Sequence, residues 1–180
     1  ELAPFSGKPR IQPVCAVQKD EKGEYAIYLW GGFAPASSER EASLSTDGYR
    51  YSLSQKEWVP LASPTNTRGE AVSLGGGAAV SVGDSLILCM GGVNKDVFLQ
   101  ALRQPAPDYL SHPAEWYKFN QELLGYHVFS HEWKTVCTSP VLARAGAVAV
   151  PYKNMVFYIN GEIKPGVRTP TVVRISFSNP

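Results

Sequence analysis

The sequence predicts an all-β protein in which small four-stranded antiparallel sheets stack radially, a β-propeller. Three recurring observations carry that prediction. An apolar strand runs into a glycine pair at Gly31-Gly32 and again at Gly91-Gly92, and a third such strand, 154–160, runs into Gly161-Glu162. Downstream, Tyr51 and Trp58 lie seven positions apart, as do Tyr126 and Trp133. Upstream of each apolar strand lies another short one, over 13–18, 77–82 and 146–150. A single small sheet cannot bury both its faces, so a sequence repeating this unit buries them between neighbouring copies.

Taken in order, each repeat reads as four strands. In the first repeat the strands are 13–18, 25–30, 47–51 and one beginning at Glu57-Trp58. The stretches 19–24, 83–84 and 152–154 read as hairpin turns between the first two strands, with Gly or Asn available for positive φ. A glycine pair closing an inner strand lets neighbouring backbones approach where a side chain would collide. The Tyr and Trp supply aromatic surface for burial between sheets. This ordering of glycine pair, Tyr and Trp is the kelch signature. It divides a partial kelch propeller over 1–180 into blades of about 11–63, 76–138 with an insertion over 94–124, and 144–180, the last without a fourth strand. Residues 1–10 read as a connection leaving an earlier blade. Propellers close with roughly four to eight blades, and an open arc leaves exposed edges and apolar faces. The remaining half of the ring is therefore expected from the same protein, or otherwise from another copy.

Composition narrows the partners. Apolar residues make up 44% and charged residues 18%, a globular balance. The net charge is +1 and the 17 Lys and Arg are scattered, so no basic stripe invites a nucleic acid or an anionic membrane. The apolar runs at 85–90 and 155–159 are too short to cross a bilayer. Cys15, Cys89 and Cys137 each sit in an apolar strand-like run and read as small buried hydrophobes. With no CxxC pair, no zinc or redox site is expected. His127 and His131 flank a hairpin turn, a spacing that does not converge their rings as a helix would, and His112 lies far off in the insertion; no metal is expected.

Two segments depart from the repeat. The insertion opens with a helical pattern over 94–102, apolar at 97, 98, 101 and 102, which Pro105 and Pro107 end. Ser111-His112-Pro113 reads as the cap of a second helical stretch, 114–124. The insertion is either a lid or wall over the channel mouth or a packing loop. The other departure is Asn160-Gly-Glu-Ile-Lys-Pro-Gly-Val-Arg-Thr169. Here Glu162 reads as the replacement of the second glycine, a carboxylate where the other blades have no side chain, and such broken local rules are expected at functional sites. Pro165-Gly166 predicts a type II turn that folds Arg168 back toward Glu162. Spacing alone is equally compatible with a surface ion pair.

That segment resembles the NGE-x-KPG-x-RT segment of the kelch-type bacterial sialic acid mutarotases, the N-acetylneuraminate epimerase family. Gly91-Gly-Val-Asn-Lys-Asp-Val-Phe98 resembles their GGVNK-x-x-F segment, and Arg144-Ala-Gly-Ala147 resembles the start of their catalytic blade. The resemblance implies a six-bladed propeller of which this chain supplies about half. It further implies Glu162 as proton acceptor, Arg168 as its catalytic or substrate-binding companion, and a periplasmic or exported setting.

Interconverting the anomers of a 2-keto sugar acid requires ring opening. A base takes the anomeric proton, an acid protonates the ring oxygen, and the roles reverse on closure. No metal, nucleotide or other cofactor is needed, and the expected partner is a small-molecule sugar acid. On this reading Glu162 is the base and Arg168 pairs with the substrate carboxylate. Arg144, just before an innermost strand, is expected to face the channel mouth. Asn94 and Lys95, after the equivalent glycine pair, are expected to reach sugar hydroxyls. The competing reading is a non-catalytic kelch module that binds carbohydrate or protein, because fold does not dictate function. A sialidase-like hydrolase is weaker, since neither Asp-box repeats nor a Tyr–Glu nucleophile motif is present.

Overall fold

The structure, a computed structural model, describes residues 2–177. Its first sheet contains β1 (Val14–Lys19), β2 (Tyr25–Trp30), β5 (Gly48–Ser52) and β6 (Glu57–Leu61), hydrogen-bonded in the order β1-β2-β5-β6. Past the glycine pair, β3 (Phe33–Ala34) and β4 (Ser43–Leu44) form a small separate hairpin. The second sheet repeats the first with β7 (Gly77–Val82), β8 (Leu86–Gly91), β9 (Glu122–His127) and β10 (Glu132–Thr138). In the third, β11 (Val148–Tyr152), β12 (Met155–Ile159) and β15 (Val172–Ser176) are joined in that order, while β13 (Glu162–Lys164) and β14 (Val167–Arg168) make the hairpin that answers β3 and β4. All pairings within the sheets are antiparallel. The innermost strands β1, β7 and β11 lie side by side, the radial packing of propeller blades.

Period-two alternation explains the two interblade cores. Between the first and second blades, Val14, Ala16, Tyr28 and Trp30 meet Ile87, Leu124 and Tyr126. The Trp30 ring stands edge-on to Tyr126 at 4.8 Å and to Trp133 at 5.0 Å. Both indoles donate to the Ala62 carbonyl, at 3.1 and 3.0 Å, so neither indole N–H is stranded. Burial pushes the Tyr126 phenol up to about 12. Between the second and third blades, Ala78, Val80, Leu88 and Met90 meet Val156 and Tyr158. The register makes Val14, Ala78 and Val148 equivalents, since each faces the last residue before its glycine-pair position. Val14 is 2% and Ala78 8% exposed, whereas Val148 is 58% exposed. The outer face of the third blade is thus built like the buried faces of the other two, and it is open in this chain.

Two expectations are corrected. The helix over 94–102 forms as α1 (Lys95–Arg103), but the second helical stretch does not. Residues 109–111 and 114–117 make single 3₁₀ turns, Lys118 adopts a left-handed conformation, and Glu122–Leu124 open strand β9. Leu123 and Leu124 are both buried, one in each interblade core, as a central strand requires and a surface helix does not. The insertion accordingly ends near 121. Of the cysteines only Cys89 is buried; Cys15 and Cys137 are exposed. Cys15 takes the solvent side of β1 between inward-facing Val14 and Ala16, and Cys137 follows a bulge on the outermost strand β10.

Candidate functional site

Hydrogen bonding sets the true equivalence of the three glycine-pair positions. Gly31 donates to the Asp47 carbonyl, and Asn160 donates to Thr171 at the same point of its blade. The carbonyls of Gly32, Gly92 and Gly161 accept from Ser45, Asn120 and Thr169. The backbone agrees: φ is 69°, 69° and 57° at Gly31, Gly91 and Asn160, and 103°, 94° and 97° at Gly32, Gly92 and Gly161. The counterpart of the glycine pairs is therefore Asn160-Gly161, and the reading of Glu162 as a replaced glycine is wrong by one position. Asn is the residue besides Gly that best tolerates a left-handed backbone, which is how the slot escapes notice in the sequence. Glu162 instead aligns with Phe33 and Val93. Glu162 pairs with Ala145 as Phe33 pairs with Ile11, through reciprocal backbone bonds, and Val93 donates to Gly75.

The corrected alignment sharpens the site. Phe33, Val93 and Glu162 all line one cleft of about 450 Å³ where the inner ends of the blades converge. Its size falls in the range of small-molecule sites, roughly 300–1,000 Å³. Two blades present an apolar side chain there and the third presents a carboxylate. The Pro165-Gly166 turn, with Gly166 at φ 76°, closes the β13–β14 hairpin and pairs Glu162 with Arg168. Arg168 Nη2 lies 3.3 Å from Glu162 Oε1, the guanidinium 77% and the carboxylate 32% exposed. Glu162 is the sole carboxylate and Arg168 the sole cation among the described residues lining the cleft. An exposed, loosely held arginine is free to exchange its partner for an incoming anion, because such a pair contributes little to stability.

The other sequence candidates divide. Arg144, expected at the channel mouth, is buried instead. Its Nη1 donates to the Asn160 and Thr171 carbonyls at 3.1 and 2.8 Å, and the guanidinium packs over the Tyr158 ring. Internal symmetry explains why. Arg10 Nη1 donates to Gly31, the Asn160 equivalent, and to Asp47, which sits where Thr171 does. In the second blade the Asn120 amide serves Gly91 and Ser73. Three blades use three side chains to tie the same backbone corner, so Arg144 holds the blade. The Arg144→Met variant is expected to lose about 1–3 kcal/mol of stability, since it strands the Asn160 carbonyl and leaves that of Thr171 with only the Asn160 N–H, while ligand affinity of the folded protein stays within twofold; chemical denaturation and calorimetry check this. Asn94 caps α1, its Oδ1 accepting from Asp96 and Val97 at 3.1 Å each. Asn94 also borders a smaller apolar annex of about 120 Å³ on the other side of Phe98 and Glu162. Lys95 is exposed on a separate outer groove shared with Asp96 and Glu115.

The insertion supplies a wall of this cleft. Phe98 of α1 lines it and meets Phe33 edge-on at 5.3 Å. Lys164 Nζ donates to the carbonyls of His112 and Leu110, at 2.7 and 3.2 Å, pinning the insertion to the hairpin that carries Glu162. The His112 ring stacks on Trp116 at 4.0 Å, and His131 meets the Tyr126 hydroxyl at 3.0 Å. Phe98, Gln12 and Asn160 line the cleft and are the residues that sequence reasoning passed over. Gln12 carried no signal at all. Asn160 carried one, a non-glycine where a glycine belongs, visible only in the correct register.

A sequence profile described as N-acetylneuraminate epimerase matches residues 1–180. An N-acetylneuraminate epimerase of Salmonella enteritidis PT4 is 30% identical over 188 residues, covering 97% of this chain and 46% of that protein. One from Haemophilus influenzae (strain PittEE) is 31% identical over 176 residues, covering 94% of this chain and 45% of that protein. The solved structure titled "Structure of YjhT" superimposes with a TM-score of 0.78 at 29% identity, over 98% of this chain and 52% of that one. The chain spans about half the length of the curated relatives it matches.

Proposed function

This chain belongs to the N-acetylneuraminate epimerase family, and from that premise we propose that it accelerates interconversion of the α and β anomers of N-acetylneuraminate by acid–base-assisted ring opening. The observation that carries the proposal is the carboxylate of Glu162 in a central cleft whose two equivalent positions hold Phe33 and Val93. In the forward direction Glu162 accepts the proton of the anomeric hydroxyl while water protonates the ring oxygen. The C2–ring-oxygen bond breaks, leaving a ketone at C2. Rotation presents the opposite carbonyl face, the former ring oxygen re-attacks as its hydroxyl proton returns to the water-derived hydroxide, and Glu162 gives its proton to the carbonyl oxygen, which becomes the new anomeric hydroxyl. No electrons leave the sugar. Arg168 holds the carboxylate attached to C2, so that the reacting carbon stays beside Glu162 through the open-chain stage. The apolar walls of Phe33, Val93 and Phe98 thin the water around the transferring proton and strengthen both interactions.

Proton NMR of a solution started from a single anomer tests this in the full-length protein. The expected result is faster approach to an unchanged final anomer ratio, because a catalyst moves both directions equally. Binding of N-acetylneuraminate by calorimetry with an unaltered exchange rate would replace the enzyme by a sugar-binding module.

A further inference from the structure

Six non-glycine residues among those described adopt positive φ. Four answer a local need. Lys56 and His131 close matching turns between third and fourth strands, donating to Ser52 and His127; Lys153 sits in the β11–β12 hairpin; Lys118 ends a 3₁₀ turn. Gln12 and Asn160 are different. Each is the single non-glycine in a set of three equivalent inner positions. Gln12 stands with Gly76 and Gly146, at φ 52°, 73° and 66°, and the three are strung together as Gly76 donates to Gln12 and Gly146 to Gly76. Asn160 stands with Gly31 and Gly91 in the same way. Glycine satisfies both backbones without strain, and two blades of three use it. A side chain kept against that preference calls for a reason outside the backbone.

Both residues line the cleft that holds Glu162 and Arg168, and both are exposed. Gln12 comes from the first blade and Asn160 from the third, the two ends of the arc. Neither carboxamide bonds to another group of the protein among the described residues, although the backbones of both are engaged. An amide donates and accepts without carrying charge, which suits alcohol groups and leaves the ligand's carboxylate to the guanidinium. We propose that Gln12 and Asn160 are substrate-binding residues that grip hydroxyl groups of a polyhydroxylated sugar acid from opposite sides of the cleft; the identity of that ligand rests on the reading of Glu162 given above.

Glycine substitution separates binding from folding. In Gln12→Gly and Asn160→Gly the melting temperature is expected to hold or rise, because the left-handed strain is relieved. Affinity for N-acetylneuraminate, measured by titration calorimetry, is expected to fall about five- to tenfold in each, and KM to rise by a similar factor with kcat nearly unchanged. Affinity within twofold of wild type in either variant overturns the proposal for that residue. A lower melting temperature in both would show that the side chains serve the fold, and would overturn it as well. Wild-type protein that binds the sugar without accelerating exchange sinks the mutarotase reading alone. Wild-type protein that binds no sialic acid sinks both.

Discussion

Replacing Glu162 with glutamine is expected to remove the acceleration of anomer exchange, a loss of about 10²–10⁴-fold, with the fold left intact. Glutamine keeps the volume and a hydrogen-bonding oxygen but does not accept a proton near neutral pH. The strand that carries residue 162 is held by its backbone, through the paired bonds to Ala145 and the β13–β14 hairpin, and these are indifferent to the substitution. The lost ion pair with Arg168 is worth at most about 1 kcal/mol, because the guanidinium is largely in water. Affinity is expected to change by less than the rate, which distinguishes a proton acceptor from a binding group. The measurement is anomer exchange by proton NMR beside a thermal melt. A folded Glu162→Gln protein that exchanges anomers at the wild-type rate would end the proposed role.

The largest expected effect on stability comes from Gly91→Ala. The new methyl group would overlap the Tyr158 hydroxyl and the Arg144 carbonyl, where the second blade abuts the third. Gly91 also sits at φ 69°, a region costing about 1–2 kcal/mol for a residue with a side chain. Overpacking against backbone adds about 1–3 kcal/mol, so a loss of about 3–4 kcal/mol is expected. For a chain of this length that corresponds to about 10 °C in Tm. Gly23→Ala is the matching control, because it has a similar φ of 77° and nothing within 4 Å of the added carbon. It is expected to show the backbone cost alone. Equal melting temperatures for the two variants would mean that close interblade approach is not what the glycine pair provides.

Much of the architecture could be read without coordinates. The alternation in β1, the Tyr-to-Trp spacing and the hairpin turns are local, and each announces its own strand. The Pro165-Gly166 turn is local too, so the meeting of Glu162 with Arg168 could be read from the six peptide units that join them. The errors share a different cause. Residues 122–124 read as helix because a short apolar run has no period of its own, and only the strands on either side make it the middle of a sheet.

The placement of the carboxylate shows the division most clearly. Sequence alone established three kelch-type blades, the insertion beside the second and the hairpin bearing Glu162 and Arg168, because near-neighbour sterics and alternation write those features into short stretches of chain. Tertiary structure alone decided that Asn160 rather than Glu162 stands in a glycine slot, that Arg144 ties a blade corner as Arg10 does, and that Gln12 faces the cleft. Those facts depend on hydrogen bonds and packing between residues from 8 to more than 100 positions apart, and no local pattern encodes which blade lies across a cleft from which.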